Sequence, residues 1–225
     1  MLEQIFKERG TVERKRDVIS MGDSTRFVHL VLDGWAARYK ILPNGGRQIT
    51  AFLLPGDLCD IHVAILGSMD HGIVALTDCR IAYADPQDIE RLTTTTPGLT
   101  RALWGAALLD AAILRQWVVS NGRRSAVDAV AHLICELHGR LMMVRLADDS
   151  GFHLPLTQEE LADATGVTTV HMNRVLHQLR QTGLIERDQK TLVVPDVQAL
   201  RKAAGFDIAY LHLMKSDPPR CAGNA

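Results

Sequence analysis

Residues 168–180 read TTVHMNRVLHQLR, which brings two hydroxyls (Thr168, Thr169), two imidazoles (His171, His177), two amides (Asn173, Gln178) and two guanidiniums (Arg174, Arg180) together without a carboxylate. These groups donate and accept hydrogen bonds and carry positive charge, the chemistry of recognition. At helical spacing, Val170, Val175, Leu176 and Leu179 are expected to take the buried side. That leaves Thr169, His171, Asn173, Arg174, His177 and Arg180 facing out. Such a face suits the major groove of B-DNA, where an arginine forks onto guanine and hydroxyls or amides bond to bases and phosphates. A polar face is also what any exposed helix shows, so a protein-interaction module stands as the alternative.

The residues around this segment determine how it is held. Thr157 with Glu160 has the spacing of a capping box, so a short helix is expected over residues 158–164, with Leu161 and Ala162 facing inward. Thr165-Gly166 then turns the chain, Thr168 caps the next helix, and that helix runs to about Gln181 before Gly183 ends it. Two helices joined by a brief glycine-containing turn read as a helix-turn-helix. LIERDQKTLVVPD follows as strand, turn and strand, with the turn at Asp188-Gln189-Lys190, which makes the unit a winged helix. Lys190 at the wing tip, Arg187, and Arg123 and Arg124 upstream are candidates for phosphate contact.

The first part of the chain reads differently. HLVLDGWAARYKIL, QITAFLL and GIVALTDCRIAYAD are short apolar segments separated by the turn residues PNGGR and LLPGDLCD, and no long helical crossover lies between them. That pattern favours a roll, sandwich or barrel. Pro86 opens a short segment DIERL, and TTTTPG is expected to interrupt it. From Leu99 the residues Leu99, Leu103, Ala106, Asp110, Ile113 and Trp117 recur at spacings of three and four, with Leu109, Leu114 and Val118 widening the apolar surface. Two readings of this helix stand: it packs across its own domain, or it passes between two domains and packs on a second copy. A further helix is expected over residues 125–139, a loop at 148–151, and a last helix at DVQALRKAA. The end, KSDPPRCAGNA, is expected to be disordered.

Composition limits the function. The chain has 225 residues, 47% hydrophobic and 23% charged, with a net charge of −1, so any attraction to nucleic acid must be local. No apolar run of membrane-spanning length is apparent, and the first residues lack the apolar core of a signal peptide. The four cysteines, Cys59, Cys79, Cys135 and Cys221, are far apart and form no CxxC pair, which reads as reduced thiols in a cytoplasmic protein. GxSxG, HExxH, the P-loop and the dinucleotide fingerprint are all missing, so an enzyme is not expected. Cys59, His62, His71 and Cys79 are near enough in sequence to be weighed as a metal or haem site. A buried filler cysteine and a solvated histidine are the commoner outcome, and no cofactor is expected.

Taken along its length, the chain resembles the Crp/Fnr superfamily of bacterial transcription regulators. LVLDGWAARYKILPNGGRQITAFLLPGDLCD resembles that family's cyclic-nucleotide-binding-type β-roll. Residues 99–121 match its long dimerisation helix, and Leu-Thr-Gln-Glu-Glu-Leu-Ala with His171, Asn173, Arg174 and Gly183-Leu184-Ile185 matches its DNA-binding domain. The resemblance implies an α+β fold with a jelly-roll-like sensor at 1–97, a dimerisation helix at 98–121 and a winged helix-turn-helix at 122–225. It implies a homodimer on a palindromic operator in double-stranded DNA, contact with RNA polymerase, and no membrane. Carried over by position, Thr168, Thr169, His171, Asn173, Arg174, His177, Arg180 and Lys190 are the DNA-binding candidates; Leu99, Leu103, Ala106, Asp110, Ile113 and Trp117 are the dimerisation candidates. Val170 stands where the family usually has a base-reading glutamate. Where cyclic-nucleotide-binding members have a ribose-binding glutamate and a phosphate-binding arginine pair, this chain has Ile61 and Met69-Asp70. A small-molecule effector is compatible with the roll, but cyclic AMP is not expected, and the N-terminal cysteines of iron–sulfur members are missing.

Overall fold

The computed structural model describes residues 5–23, 26–61, 69–149, 151–188 and 191–212. The expectations for His62, Lys190, Cys221 and the C-terminal KSDPPRCAGNA lie outside the described residues.

Among the described residues seven strands form the N-terminal roll: β1 (Lys7–Val12), β2 (Asp17–Ile19), β3 (Val28–Asp33), β4 (Ala36–Ile41), β5 (Arg47–Leu53), β6 (Gly72–Ala75) and β7 (Cys79–Ala84). They pair antiparallel into two sheets, β1-β7-β3 and β2-β6-β4-β5. The apolar run HLVLDGWAARYKIL is therefore two strands on different sheets. The chain changes sheet at Gly34, which has φ 84° and would drive a Cβ into the backbone carbonyl of Asp78, so only glycine fits. It changes back between β6 and β7, and the two corners brace each other. Trp35 donates its N–H to Thr77 Oγ1 (2.9 Å) and accepts from the Leu76 N–H (2.8 Å). PNGGR makes the β4–β5 hairpin, with Gly45 at φ 82° and Asn44 Oδ1 accepting from the Gly46 N–H at 3.0 Å. The strands β1 and β2 carry too few apolar residues to stand out in the sequence.

Helix α1 (Pro86–Thr95) starts with Asp85 accepting from the Gln87 N–H and Pro86 in the first turn. It runs through the threonine cluster instead of stopping there. Thr93, Thr94 and Thr95 donate their hydroxyls to the carbonyls of Glu90 and Arg91, so the side chains are satisfied within the helix. It ends at Thr96, the residue before Pro97, whose ring disfavours helical backbone on its predecessor. Pro97 then opens α2 (Pro97–Arg123), and α3 (Ala126–Met143) follows after the break at Arg124-Ser125. By length and composition α2 is apolar enough to cross a membrane, a correction to the sequence expectation. Its Ile113 and Trp117, however, are buried in the protein core.

The C-terminal part is built on α3, which is buried from Ala129 to Gly139 and extends one turn further than expected, to Met143. Around it lie α4 (Gln158–Thr165), α5 (Thr169–Gln181), α6 (Val197–Ala204) and a 3-10 turn (Ile208–Leu211). The expected loop at 148–151 instead sits between β8 (Ala147–Asp148) and β9 (Gly151–His153). These join β10 (Glu186–Asp188) and β11 (Thr191–Val193) in a sheet ordered β10-β11-β9-β8. Strands this short cannot show alternation, and only the partner strand reveals them.

Three apolar clusters hold the described residues together, the smallest of them Val28, Ala84 and Ile89 where α1 meets the roll. Val31, Ala36, Leu53, Ile73 and Ile81 fill the roll together with Cys59 and Cys79. Another is continuous from the roll's outer face (Phe52, Val74, Leu76) through Ile113 and Trp117 into α3, α4 and α5. Phe52 meets Trp117 edge to face with centroids 5.6 Å apart. His132 on α3 is buried, edge-on to Phe206 (4.9 Å) and stacked with Tyr210 (5.9 Å). Burial, with the Arg124 charge, lowers its pKa to about 4. The unfolded chain, with its histidine near 6.5, then binds the proton more readily than the fold does. This contribution is fully present above about pH 6.5 and is lost as pH falls toward 4. Chemical denaturation between those values should show a decline on the order of 2–3 kcal/mol, which His132→Phe flattens.

Candidate nucleic-acid interface

The helix-turn-helix is built as its residues suggest. Glu160 Oε2 accepts from the Thr157 N–H at 2.6 Å, and Thr157 Oγ1 accepts from the Glu160 N–H at 3.1 Å, a complete capping box. Leu161, Ala162, Ala164 and Thr165 are buried, and Gly166 closes α4 at φ 69°. Thr168 Oγ1 accepts from the His171 N–H (3.2 Å), which fixes the first turn of α5. Met172, Val175, Leu176 and Leu179 are the buried side of α5. Thr169, His171, Asn173, Arg174, His177 and Arg180 are all exposed, and α5 contains no carboxylate. Asn173 Nδ2 donates to Gln158 Oε1 (3.1 Å), tying the outer face of α5 to the start of α4.

One expectation about α5 is corrected. Val170 is not on the buried side: it is 65% exposed. Met172, fully buried, takes the inward place. The register follows from Thr168 acting as N-cap: with Met172, Val175, Leu176 and Leu179 inward, Val170 must point away. The wing is the β10–β11 pair, in which Glu186 faces Val193, Arg187 faces Leu192 and Asp188 faces Thr191. Its tip at Lys190 is outside the described residues. On the other side, Arg124 donates to Ser120 Oγ at 2.7 Å, and Arg123 is exposed at the end of α2.

The roll holds α4 directly. Arg47 on β5 pairs with Asp163 at 2.7 Å, Gln48 Nε2 donates to the Ala164 carbonyl (3.3 Å), and Arg14 lies 3.5 Å from Glu160. A second link is buried. Arg140 on α3 donates to Asp57 Oδ2 at 2.5 Å and to the Phe52 carbonyl at 3.0 Å. Its side chain is 11% exposed. Burial opposes its charge, but the carboxylates of Asp57 and Glu136 hold the guanidinium's pKa above its ordinary value. Glu136, also buried, takes hydrogen bonds from Trp117 Nε1 and the Tyr210 hydroxyl, both at 3.1 Å; burial pushes its pKa up.

The dimerisation candidates divide. Ile113 and Trp117 belong to the subunit's own core, and Asp110 is held by Arg38 through both carboxylate oxygens (2.7 and 2.6 Å). Leu99 and Leu103 are half-buried, and Ala106 is exposed. The large apolar side chains that α2 leaves open are Trp104, Leu108, Leu114, Val118 and Val119.

In the sensor half, Ile61 is half-buried and lines a cavity of about 230 Å³ with Arg38, Asp57, Leu58, Asp110 and Arg140. That is below the range of about 300–1,000 Å³ common for drug-sized ligands. Met69 is buried, and Asp70 is an exposed carboxylate whose pKa is lowered by its bond to His71 (2.7 Å) and by Lys40 (3.4 Å). Ile61 offers a ribose hydroxyl no acceptor, and Asp70 is not among the residues that line this cavity. Cys59 and Cys79 are buried, and burial raises the pKa of both; Cys79 Sγ donates to the Trp35 carbonyl. Burial lifts Cys135 to about 12. Among the described residues no group of three histidines, cysteines or carboxylates is placed to hold a metal.

A sensor-type roll, a long connecting helix and a winged helix-turn-helix with a carboxylate-free recognition face define the class of two-domain transcription regulators. The chain belongs to the Crp/Fnr superfamily of bacterial transcription regulators. Residues 10–96 match the cyclic nucleotide-binding domain family and residues 129–203 the Crp-like helix-turn-helix domain family. The chain is similar to the transcriptional activator protein FnrL of Cereibacter sphaeroides, 30% identical over 92% of this chain and 84% of that one. It is likewise similar to the nitrogen fixation regulation protein FixK of Bradyrhizobium diazoefficiens, 32% identical over 75% of this chain and 70% of that one. The structure of FixK2 from Bradyrhizobium japonicum shares the fold, with a TM-score of 0.79 at 24% identity, covering 88% of this chain and 97% of that one. The protein is thus a transcriptional regulator of the Crp/Fnr type.

The cap also yields a prediction. Thr168→Ala should lower stability by about 1 kcal/mol in urea denaturation without DNA, while Thr168→Ser keeps most of it. Measured on free protein, the loss reports the cap and not a contact to DNA.

Proposed function

We propose that the protein binds a palindromic operator as a homodimer, with α5 of each subunit in a major groove. The observation carrying this reading is the α5 surface: the inward side is locked by Met172, Val175, Leu176 and Leu179, and the outward side offers hydroxyl, amide, imidazole and guanidinium groups with no carboxylate. Arg174 is assigned to a guanine, with Thr168, Thr169, His171, Asn173 and His177 sharing bases and backbone. Arg180, Lys190 and Arg123 are assigned to phosphates, which the chain's net charge of −1 leaves to local groups. The working division is a roll at 1–97, a dimer helix at 98–121 and a DNA-binding domain at 122–225. As in the family resemblance, RNA polymerase is the proposed protein partner, and the effector, if the roll takes one, is a small molecule other than cyclic AMP.

The dimer surface we assign is the open face of α2. Trp104, Leu108, Ala111, Arg115, Val118 and Gly122 recur at alternating spacings of four and three, the repeat of a two-stranded coiled coil. Trp104 is 71% exposed and Val118 67%. A second copy laid on this stripe would cover it, as an isolated helix of this apolarity in water requires. Leu99 and Leu103 lead into the stripe at its N-terminal end, while Ile113 and Trp117 support it from behind.

Selection of bound duplexes from a randomised pool tests the reading: a two-fold symmetric consensus is expected, and failure to enrich any sequence in buffer or in cell extract contradicts it. On the selected duplex, Arg174→Ala should cost roughly 1–3 kcal/mol and relax discrimination at one base position per half-site. Equal weakening on all sequences would instead assign Arg174 to the backbone. Leu108→Glu with Val118→Glu should give a monomer by light scattering and abolish the tight symmetric complex, while the same changes at Met21 and Met143, exposed elsewhere, should leave the dimer intact.

A further inference from the structure

Val170 is the one large apolar side chain that α5 exposes among the described residues. Its position is central. Burial of Met172, Val175, Leu176 and Leu179 fixes the inward direction, and at about 100° per residue the opposite direction runs through Val170, Arg174, His177 and Gln181. Arg174 is one turn along from it and Asn173 three residues on, held by Gln158. The Thr168 cap orders the turn that carries it. A β-branched side chain in a helix has essentially one χ1 rotamer, so its two methyls are presented in a fixed direction with little entropy left to lose.

On the major-groove edges of the bases the groups are donors, acceptors and one hydrocarbon, the C5 methyl of thymine. A donor or acceptor pressed against valine would lose water without gaining a partner; the thymine methyl loses nothing. A carboxylate at this position would accept from the cytosine amino group, so valine changes which base is favoured. We infer that Val170 is a specificity-determining residue that packs on the C5 methyl of a thymine in each half-site, next to the base pair taken by Arg174. The inference rests on the proposed entry of α5 into the major groove and adds to it the chemistry read at one position.

Deoxyuridine provides the test, because it differs from thymidine by that methyl alone. In the selected operator, each thymine is replaced by deoxyuridine symmetrically in both half-sites, and affinity is measured for the wild-type protein, Val170→Ser and Val170→Ile. One position is expected where uracil weakens the wild type about fifteenfold, about fourfold per half-site, from roughly 0.8 kcal/mol per buried methyl-sized group. Val170→Ser should bind thymine and uracil duplexes within about twofold of each other, and Val170→Ile should keep the preference. Selective binding that is indifferent to uracil at every thymine, or a methyl dependence that persists in Val170→Ser, overturns this inference and leaves the DNA reading standing. Absence of any selective binding overturns both.

Discussion

Arg140 is the interaction on which the rest of the structure turns. A guanidinium taken out of water must find partners on every side, and those partners belong to different parts of the chain. Asp57 and the Phe52 carbonyl come from the roll, and Glu136 comes from α3. Glu136 in turn accepts from Trp117 on α2 and Tyr210 in the last turn. Roll, connecting helix and DNA-binding domain therefore share one polar centre inside a continuous apolar core. Moving any one of them away strands a buried charge, so the three hold a common geometry or separate together. The part-buried bonds from Arg47 and Gln48, and the pair of Arg14 with Glu160, add orientation between the roll and α4.

With α3 fixed, the two surfaces that face outward are set as well. Helix α2 buries Ile113 and Trp117 against its own subunit, and the heptad stripe from Trp104 to Gly122 lies on another side. Helix α5 turns four of its five large apolar residues inward and leaves Val170 among hydrogen-bonding groups on the solvent side. The roll retains the family's architecture, but the positions that the resemblance matches to nucleotide contacts hold Ile61, Met69 and Asp70, while Arg38 and Arg140 are engaged by Asp110 and Asp57. Its cysteines, buried and held as thiols, serve as core residues.

The elements with strong local chemistry were legible in the sequence. The capping box at Thr157, the Gly166 turn and the Thr168 cap locate the helix-turn-helix to within a residue, because caps are short-range and carry their own hydrogen bonds. What was not legible depends on distant partners. β8 and β9 exist because β11 pairs with them, and the Thr93–Thr95 cluster stays helical because its hydroxyls turn back on the helix carbonyls. Apolar periodicity identifies α2 but leaves open whether the side with Ile113 and Trp117 meets its own domain or a second copy, since a helix with apolar residues on two sides does not say which is which; both residues lie in the subunit's own core. Hydrophobicity alone points Val170 inward for a related reason, while the register set by Met172 turns it outward.

In the proposed complex two copies of α5 enter successive major grooves of one duplex. Hydroxyl-radical footprinting on the selected operator measures this most directly. Two protected patches are expected on one face of the DNA, related by two-fold symmetry and centred about one helical turn, roughly 10–10.5 base pairs, apart. A single patch, or protection without two-fold symmetry, would contradict the account.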